Sequence, residues 1–480
     1  MSTSIKKNYL YNLIYQVIVL ILPLITVPYI SRVLLPKGVG IFAYTSSVVQ
    51  YFILIGMLGI GTYGNKVIAM TRDNKKLMSE NFFSIYFLQL AISLFSVVSY
   101  LLMVTLFVSE DKGIAYIQTI ALLGSVIDCS WFFSGLELFK KIVTRNIVVK
   151  IIALIAIFIF VKGPDDLGTY TYIMCLSIFI GQLIMWFYIR SHIIFVHVSF
   201  EKINKHLRPT IVYFLPQIAA QVYFVLGKTM IGMLSSKSEV GIYDYADKMK
   251  AMALAVVTSL GTVMLPRMAH TFVMGQIEKA KGYIMKSLEF STLLAVPIMF
   301  GLAGIAKEFV PWYMGDSFTK CIIVLVLMSP TIFLIAWSGV FGSQYLVPLG
   351  KMREYTLSLY AGAFVNLIAN LLLIRPYGSI GAAIGTLLAE LAVTLVQLYF
   401  IKSEIRLVKI LPSTLIYLCA GLVMYLVVRI IGLSMGVSIL TTLIQIIAGV
   451  ISYLVIVLIS EYIRGNGIML NEVKKRRQNH

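Results

Sequence analysis

The stretch 10-LYNLIYQVIVLILPLITVPYISRVLLPKGVGIFAY-44 carries the reading of the whole chain. Leu10–Leu35 is a predominantly apolar run, longer than the roughly 20 helical residues that cross a hydrocarbon core about 30 Å thick. It is also too long for a signal-peptide core, and no small-residue cleavage site follows it. It is therefore expected to stay in place as a first membrane helix, behind the basic start MSTSIKK.

The rest of the 480 residues repeats the pattern. The chain is 59% apolar and 13% charged, against about 25% charged in soluble domains. Its mean hydropathy is +0.90. So much hydrocarbon cannot be hidden inside a soluble core. The expected class is an all-α polytopic membrane protein, since lipid offers an open backbone no hydrogen-bond partner. Apolar runs of spanning length place fourteen helices near 10–35, 41–64, 82–108, 115–136, 146–162, 169–190, 210–234, 242–264, 287–310, 319–347, 355–374, 380–401, 412–431 and 438–461. The net charge of +19 belongs to loops rather than to a nucleic-acid surface. Most Lys and Arg lie in the N-terminal segment, in every second connection (140-KKIVTR-145, 201-EKINKHLR-208, 402-KSEIRLVK-409) and in the tail 474-KKRR-477. By the positive-inside rule both termini are cytoplasmic.

The end of the opening stretch recurs. Val39, Gly40, Ile41 and Tyr44 of KGVGIFAY return as Val240, Gly241, Ile242 and Tyr245 of 237-KSEVGIYDY-245. Each copy joins the first and second helix of a six-helix set, with the same polarity, as parallel internal repeats require. The expected organisation is a lobe at 1–209, a second lobe at 210–409, an appended helix pair at 410–463 and a basic cytoplasmic tail at 464–480. The glycines of the motif are expected to serve a tight outer turn and close helix approach.

Enzyme motifs fail where they are sought. Gly227-Lys228-Thr229 resembles the end of a phosphate loop, but Val222 stands where its first Gly belongs. The four Cys lie singly in apolar runs, and the five His form no metal-ligating pattern. No metal and no cofactor is expected, nor is a catalytic domain. A chain made almost entirely of membrane helices is expected to move something, as a transporter without an ATPase motif.

Intramembrane charges then become informative, because each costs about 2.5–3.5 kcal/mol at a helix centre. Arg32 and Lys228 occupy matching helices of the two repeats, both toward the outer leaflet, and point to a cationic cavity between the lobes. Asp244, Asp247, Lys248 and Lys250 crowd the start of the eighth span, with Asp244 and Lys248 spaced to neutralise one another. Asp128 and Glu390 are proton-site candidates, with helix–helix hydrogen bonding as the alternative. Arg267 lies near a cytoplasmic end and can snorkel to water. Gln217/Gln221 and Asn366/Asn370 each share one helix face.

The ordered set 31-SRVLLPKGVGIFAYTSSVVQYFILIGMLGIGTYGNKVIAMTRDNKK-76, 129-CSWFFSGLELFKK-141, 228-KTMIGML-234, 239-EVGIYDYADK-248, 261-GTVMLPRMA-269 and 375-RPYGSIGAAIGTLLAE-390 resembles bacterial Wzx-type polysaccharide flippases of the multidrug/oligosaccharidyl-lipid/polysaccharide exporter superfamily. The resemblance implies two six-helix lobes around an alternating-access cavity in the bacterial cytoplasmic membrane. It implies as substrate an undecaprenyl-diphosphate-linked oligosaccharide destined for capsule, O-antigen or exopolysaccharide, with a polysaccharide polymerase as downstream partner. Position by position it singles out Arg32, Gly40, Lys228, Glu239, Lys248 and Arg267, with Gly241 as the second-copy counterpart of Gly40. Gly227 stands where the family more often has Asp, and Lys66 where Arg is more usual. The last two helices are expected to form a lipid-tail groove by analogy with lipid II flippases. A drug/cation antiporter of the same superfamily is the alternative, and should favour carboxylates over Arg and Lys. A membrane polymerase or acyltransferase should show a large outer loop or a membrane His motif, and neither is seen.

Overall fold

Leu35 ends the first helix. The residue before a proline is pushed out of the helical region, and Pro36 can begin a new helix because its missing N–H is not needed there. In the computed structural model α1 (Ile5–Met57) accordingly breaks at Leu35, which adopts φ 58° and ψ 172°. Gly38 and Gly40 sit buried inside the helix that follows and make no turn. The expectation that these glycines form the turn is corrected, because the proline decides the corner. A Cβ at Gly38 would lie 3.1 Å from that of Leu34, across the break in the same chain segment.

The structure describes the backbone of residues 5–464 apart from 406, 407 and 409. Side chains are described over the same range except 5–20, 216, 219–220, 222–224, 259–267, 269–270, 272–273 and 277. Among the described residues there is helix and no strand. Two compact units, 1–233 and 234–480, partition the chain.

In the first unit, α1 breaks again at Leu58 and Gly59, both with positive φ, before α2 (Ile60–Thr71). Glycine is required at 59: a Cβ there would lie 2.7 Å from the Phe214 nitrogen and 2.8 Å from the Thr210 carbonyl. Then come α3 (Lys75–Phe107), α4 (Lys112–Val126), α5 (Ser130–Gly135), α6 (Phe139–Phe160), α7 (Leu167–Ile189), the short α8 (Phe200–Asn204) and α9 (Leu207–Leu234). The expected span 115–136 is thus two helices. Between them Gln89 of α3 donates to the carbonyls of Ser125 and Asp128, supporting backbone groups that the break leaves without helical partners. Gln89 also accepts from the Trp131 indole at 3.0 Å, and Trp131, Phe82, Phe132 and Phe133 fill an aromatic core between α2, α3 and α5.

The second unit contains α10 (Lys237–Val273), α11 (Ile277–Met314), α12 (Cys321–Met328), α13 (Pro330–Phe341) with a π turn over Gly342–Leu346, α14 (Met352–Tyr377), α15 (Ser379–Ile401), α16 (Leu411–Met435) and α17 (Ile439–Arg464). α14 and α15 pack tightly through small residues, with Gly385 against the Asn370 amide. α16 and α17 pack on α11 around Val296, Tyr417, Met424 and Tyr453.

Eleven described segments are long and apolar enough to cross a membrane, so this is a multi-pass membrane protein. The first of them, Ile21–Thr71, contains the expected span 41–64 and the second half of the expected span 10–35. The described residues of α9 leave a shorter apolar helix, Val225–Leu234, and α10 carries four charges between Asp244 and Lys250.

Candidate functional site

In the first unit α9 runs against α1 and α2 as an antiparallel seam of polar and small residues. Gly232 faces the Tyr44 ring so closely that a Cβ would sit 2.1 Å from it. Farther along, the Ser47 and Thr229 hydroxyls are 3.0 Å apart, and Thr229 reaches the Tyr51 hydroxyl at 3.3 Å. Beyond the cleft described next, Gln217 donates to Thr62 at 2.9 Å, Lys66 to the Tyr213 hydroxyl at 3.1 Å, and Tyr63 meets His206 Nδ1 at 2.7 Å. Burial, followed by the charge of Lys205, holds the His206 imidazole below its ordinary pKa.

Between the Tyr51–Thr229 and Thr62–Gln217 bonds the seam opens into a cleft of about 230 Å³. Gln50, Tyr51, Leu54 and Met57 of α1, Gly61 of α2 and Gln217, Gln221 and Val225 of α9 line it. The i, i+4 glutamine pair noted in the sequence thus faces a cavity. Among the described residues no charged side chain lines the cleft.

Arg32 and Lys228, the cations singled out by sequence, are not among the lining residues. Arg32 is exposed on α1 and its Nη1 donates to the Pro28 carbonyl at 2.7 Å, a local partner the sequence did not reveal. Lys228 is half-buried beside Thr229. Asp128 sits at the start of α5, where its Oδ1 accepts from the Ser130 backbone N–H at 2.8 Å and hydroxyl at 2.6 Å.

In the second unit the repeat motif begins α10 and its acid does structural work. The Glu239 carboxylate accepts from the Ser379 N–H at 2.8 Å, the Ser379 hydroxyl at 2.5 Å and Lys320 Nζ at 2.6 Å. It therefore occupies the N-terminus of α15, where the helix dipole favours an anion. Burial opposes its charge, but these bonds outweigh burial and hold the carboxyl below its ordinary range. Gly378, at φ 59°, gives the carboxylate access: a Cβ there would lie 2.6 Å from Glu239 Oε2.

The charges after the motif are paired along α10. Lys248 binds Asp244 at 2.6 Å and lies 5.0 Å from the centre of the Tyr245 ring, which stacks on Phe318. Asp247 binds Lys250 at 2.7 Å. Lys250 is buried, and buried Glu390 of α15 is near enough to act on it electrostatically. Tyr243 and Thr386 share a hydrogen bond of 2.8 Å beside them. Glu390 is thus brought to the Lys250–Asp247 pair of α10, and the buried lysine there is Lys250 rather than Lys248. Gly241 is buried in α10, and the side chain of Arg267 lies outside the described residues.

A further ionic cluster has no counterpart in the sequence reading. Arg429 of α16 binds Glu308 of α11 at 2.6 Å, and Gln445 of α17 donates to the same carboxylate oxygen at 3.1 Å. The signal was present as opposite charges near the ends of two apolar runs that share a polarity, but nothing in sequence paired them.

Comparison with known proteins follows these observations closely. A protein assigned as an O-antigen transporter in Escherichia coli (strain K12) is 26% identical over 412 residues, covering 84% of this chain and 98% of that protein. Among solved structures, the lipid II flippase MurJ in an inward closed conformation superposes with a TM-score of 0.76 at 16% identity, covering 95% of this chain and 99% of that one. An inward-facing multidrug resistance MATE family transporter gives 0.58 at 12% identity, covering 81% and 99%. The family model described as polysaccharide biosynthesis protein matches residues 5–272, more than half of the sequence. The resemblance carried by the motifs holds, and the chain belongs to the polysaccharide biosynthesis protein family.

Proposed function

We propose that the protein is a flippase that carries an undecaprenyl-diphosphate-linked oligosaccharide from the inner to the outer leaflet of the bacterial cytoplasmic membrane. The observation that carries this reading is the near end-to-end correspondence with the O-antigen transporter of E. coli. The MurJ-like fold supports a transport mechanism built from helices rather than a catalytic domain. In this reading fourteen helices form two six-helix lobes and a C-terminal pair, with both termini cytoplasmic. Arg32, Lys228, Lys248 and Arg267 supply positive charge to the path of the diphosphate, which an anionic group in a low-dielectric passage requires. Asp244 and Glu390 are the coupling candidates. Asp128 is assigned instead to holding the start of α5, in keeping with its bonds to Ser130. The product enters capsule, O-antigen or exopolysaccharide assembly through a polymerase.

The MATE-like component of the fold keeps a drug/cation antiporter as the second reading. Deletion of the protein separates the two. The flippase reading expects the carrier-linked repeat unit to accumulate at the cytoplasmic leaflet. An unchanged distribution, with increased sensitivity to organic cations, would favour the antiporter.

A further inference from the structure

The cleft between α1, α2 and α9 is built differently from a phosphate site. Gln50 and Gln221 are exposed on helices expected to cross the membrane, and among the described residues neither amide has a hydrogen-bonding partner. An unpaired amide facing hydrocarbon costs several kcal/mol, so these side chains must face water or a polar ligand. With no charged side chain among its described lining residues, the cleft offers a diphosphate nothing to neutralise it.

What it does offer suits a sugar. Each glutamine presents two donors and an acceptor, which match the paired donor and acceptor character of neighbouring sugar hydroxyls. Tyr51 adds a ring and a hydroxyl, while Leu54 and Met57 provide an apolar wall for the C–H face of a pyranose. The volume of about 230 Å³ falls below the roughly 300–1,000 Å³ of pockets for drug-sized ligands. That leaves room for one monosaccharide rather than a whole repeat unit.

We propose that this cleft binds a single neutral sugar residue of the translocated glycan through Gln50, Gln217 and Gln221, while the diphosphate is held elsewhere. The proposal rests on the flippase reading. It makes recognition of the glycan separate from recognition of the lipid carrier.

The test measures binding to the purified full-length protein in lipid nanodiscs. The probes are undecaprenyl diphosphate and undecaprenyl-diphosphate-linked N-acetylglucosamine. Gln50→Ala and Gln221→Ala remove side chains with no hydrogen-bonding partner among the described residues, and melting temperatures check that the fold is kept. Each should weaken binding of the sugar-bearing lipid about three- to tenfold, the worth of one or two hydrogen bonds, and leave the bare lipid unaffected. Unchanged binding of both lipids, or equal loss of both, would overturn the cleft proposal and leave the flippase reading standing. A wild-type protein that binds neither lipid would overturn the two together.

Discussion

The Ser47 hydroxyl of α1 lies 3.0 Å from the Thr229 hydroxyl of α9, one turn from where Gly232 seats the Tyr44 ring. A polar contact and a glycine contact together hold these two helices at a close, fixed spacing. Gly232→Val is expected to force the Tyr44 ring away and destabilise the protein by about 1–3 kcal/mol through overpacking. Thermal unfolding in detergent reads the loss. Ser47→Ala, which removes one hydroxyl from the same seam, should cost about 1 kcal/mol.

Arg32→Ala and Lys228→Ala test the charge assigned to the transport path. Each is expected to lower transport about tenfold or more, with normal amounts of protein in the membrane. Complementation of a flippase-deficient strain, with membrane levels measured by immunoblot, gives the answer. Full activity in both variants would remove the cationic path from the mechanism.

The Glu308–Arg429 pair is buried, with 4% and 17% of the two side chains exposed. Breaking such a pair from one side leaves a stranded charge. Arg429→Met alone should therefore destabilise the protein by about 3–5 kcal/mol. The double variant Glu308→Met/Arg429→Met should recover most of that, since an apolar pair replaces an ion pair at little cost. Melting temperatures of the two single variants and the double variant, compared as a cycle, check the prediction. A double variant no more stable than Arg429→Met would contradict it.

His206 predicts a direction with pH. Its folded pKa is depressed by burial and by Lys205, so the neutral ring is the form that the fold accepts. The stability tied to this neutral form is fully present above the ordinary histidine range near 6.5 and is lost as pH falls below it. Melting temperatures should drop between pH 7.5 and pH 5 more for the wild type than for His206→Gln. Equal slopes would show that Tyr63 and α9 tolerate the charged ring.

Loss of Glu239 should loosen α15. Glu239→Ala removes the anion from that helix N-terminus and strands Lys320, with an expected cost of about 1–3 kcal/mol. Glu239→Gln keeps an acceptor for the Ser379 N–H and should cost less. Comparing unfolding temperatures of the two variants separates the hydrogen bond from the charge.

Sequence was most informative where hydrophobicity alone decides. The all-helical, multi-pass class read from the apolar runs holds, with eleven described segments long and apolar enough to cross a membrane, because only helices satisfy a backbone in lipid. Breaks inside those runs were not legible. The one at Leu58–Gly59 depends on α9 packing against it, and the one before Ser130 depends on Gln89 from another helix. At the charges, spacing identified Asp244–Lys248 but could not tell which of Lys248 and Lys250 is buried. That distinction is made by α15, far away in sequence. Arg429 and Glu308 went unnoticed for the same reason: each looks like an ordinary helix-end charge until the other is placed beside it.

The two copies of the motif show what happened to a repeated segment once each copy had its own neighbours. Glu239 in the second copy aligns with Gly38 in the first, so only the second carries an acid that ties down another helix. Tyr44 rests over Gly232, whereas its counterpart Tyr245 stacks on Phe318. The shared Val-Gly-Ile core preserves a way of starting a helix, while the residues around it have specialised. A glycine at position 239, as the first copy of the motif has at 38, would leave α15 without the acidic tether at its N-terminus.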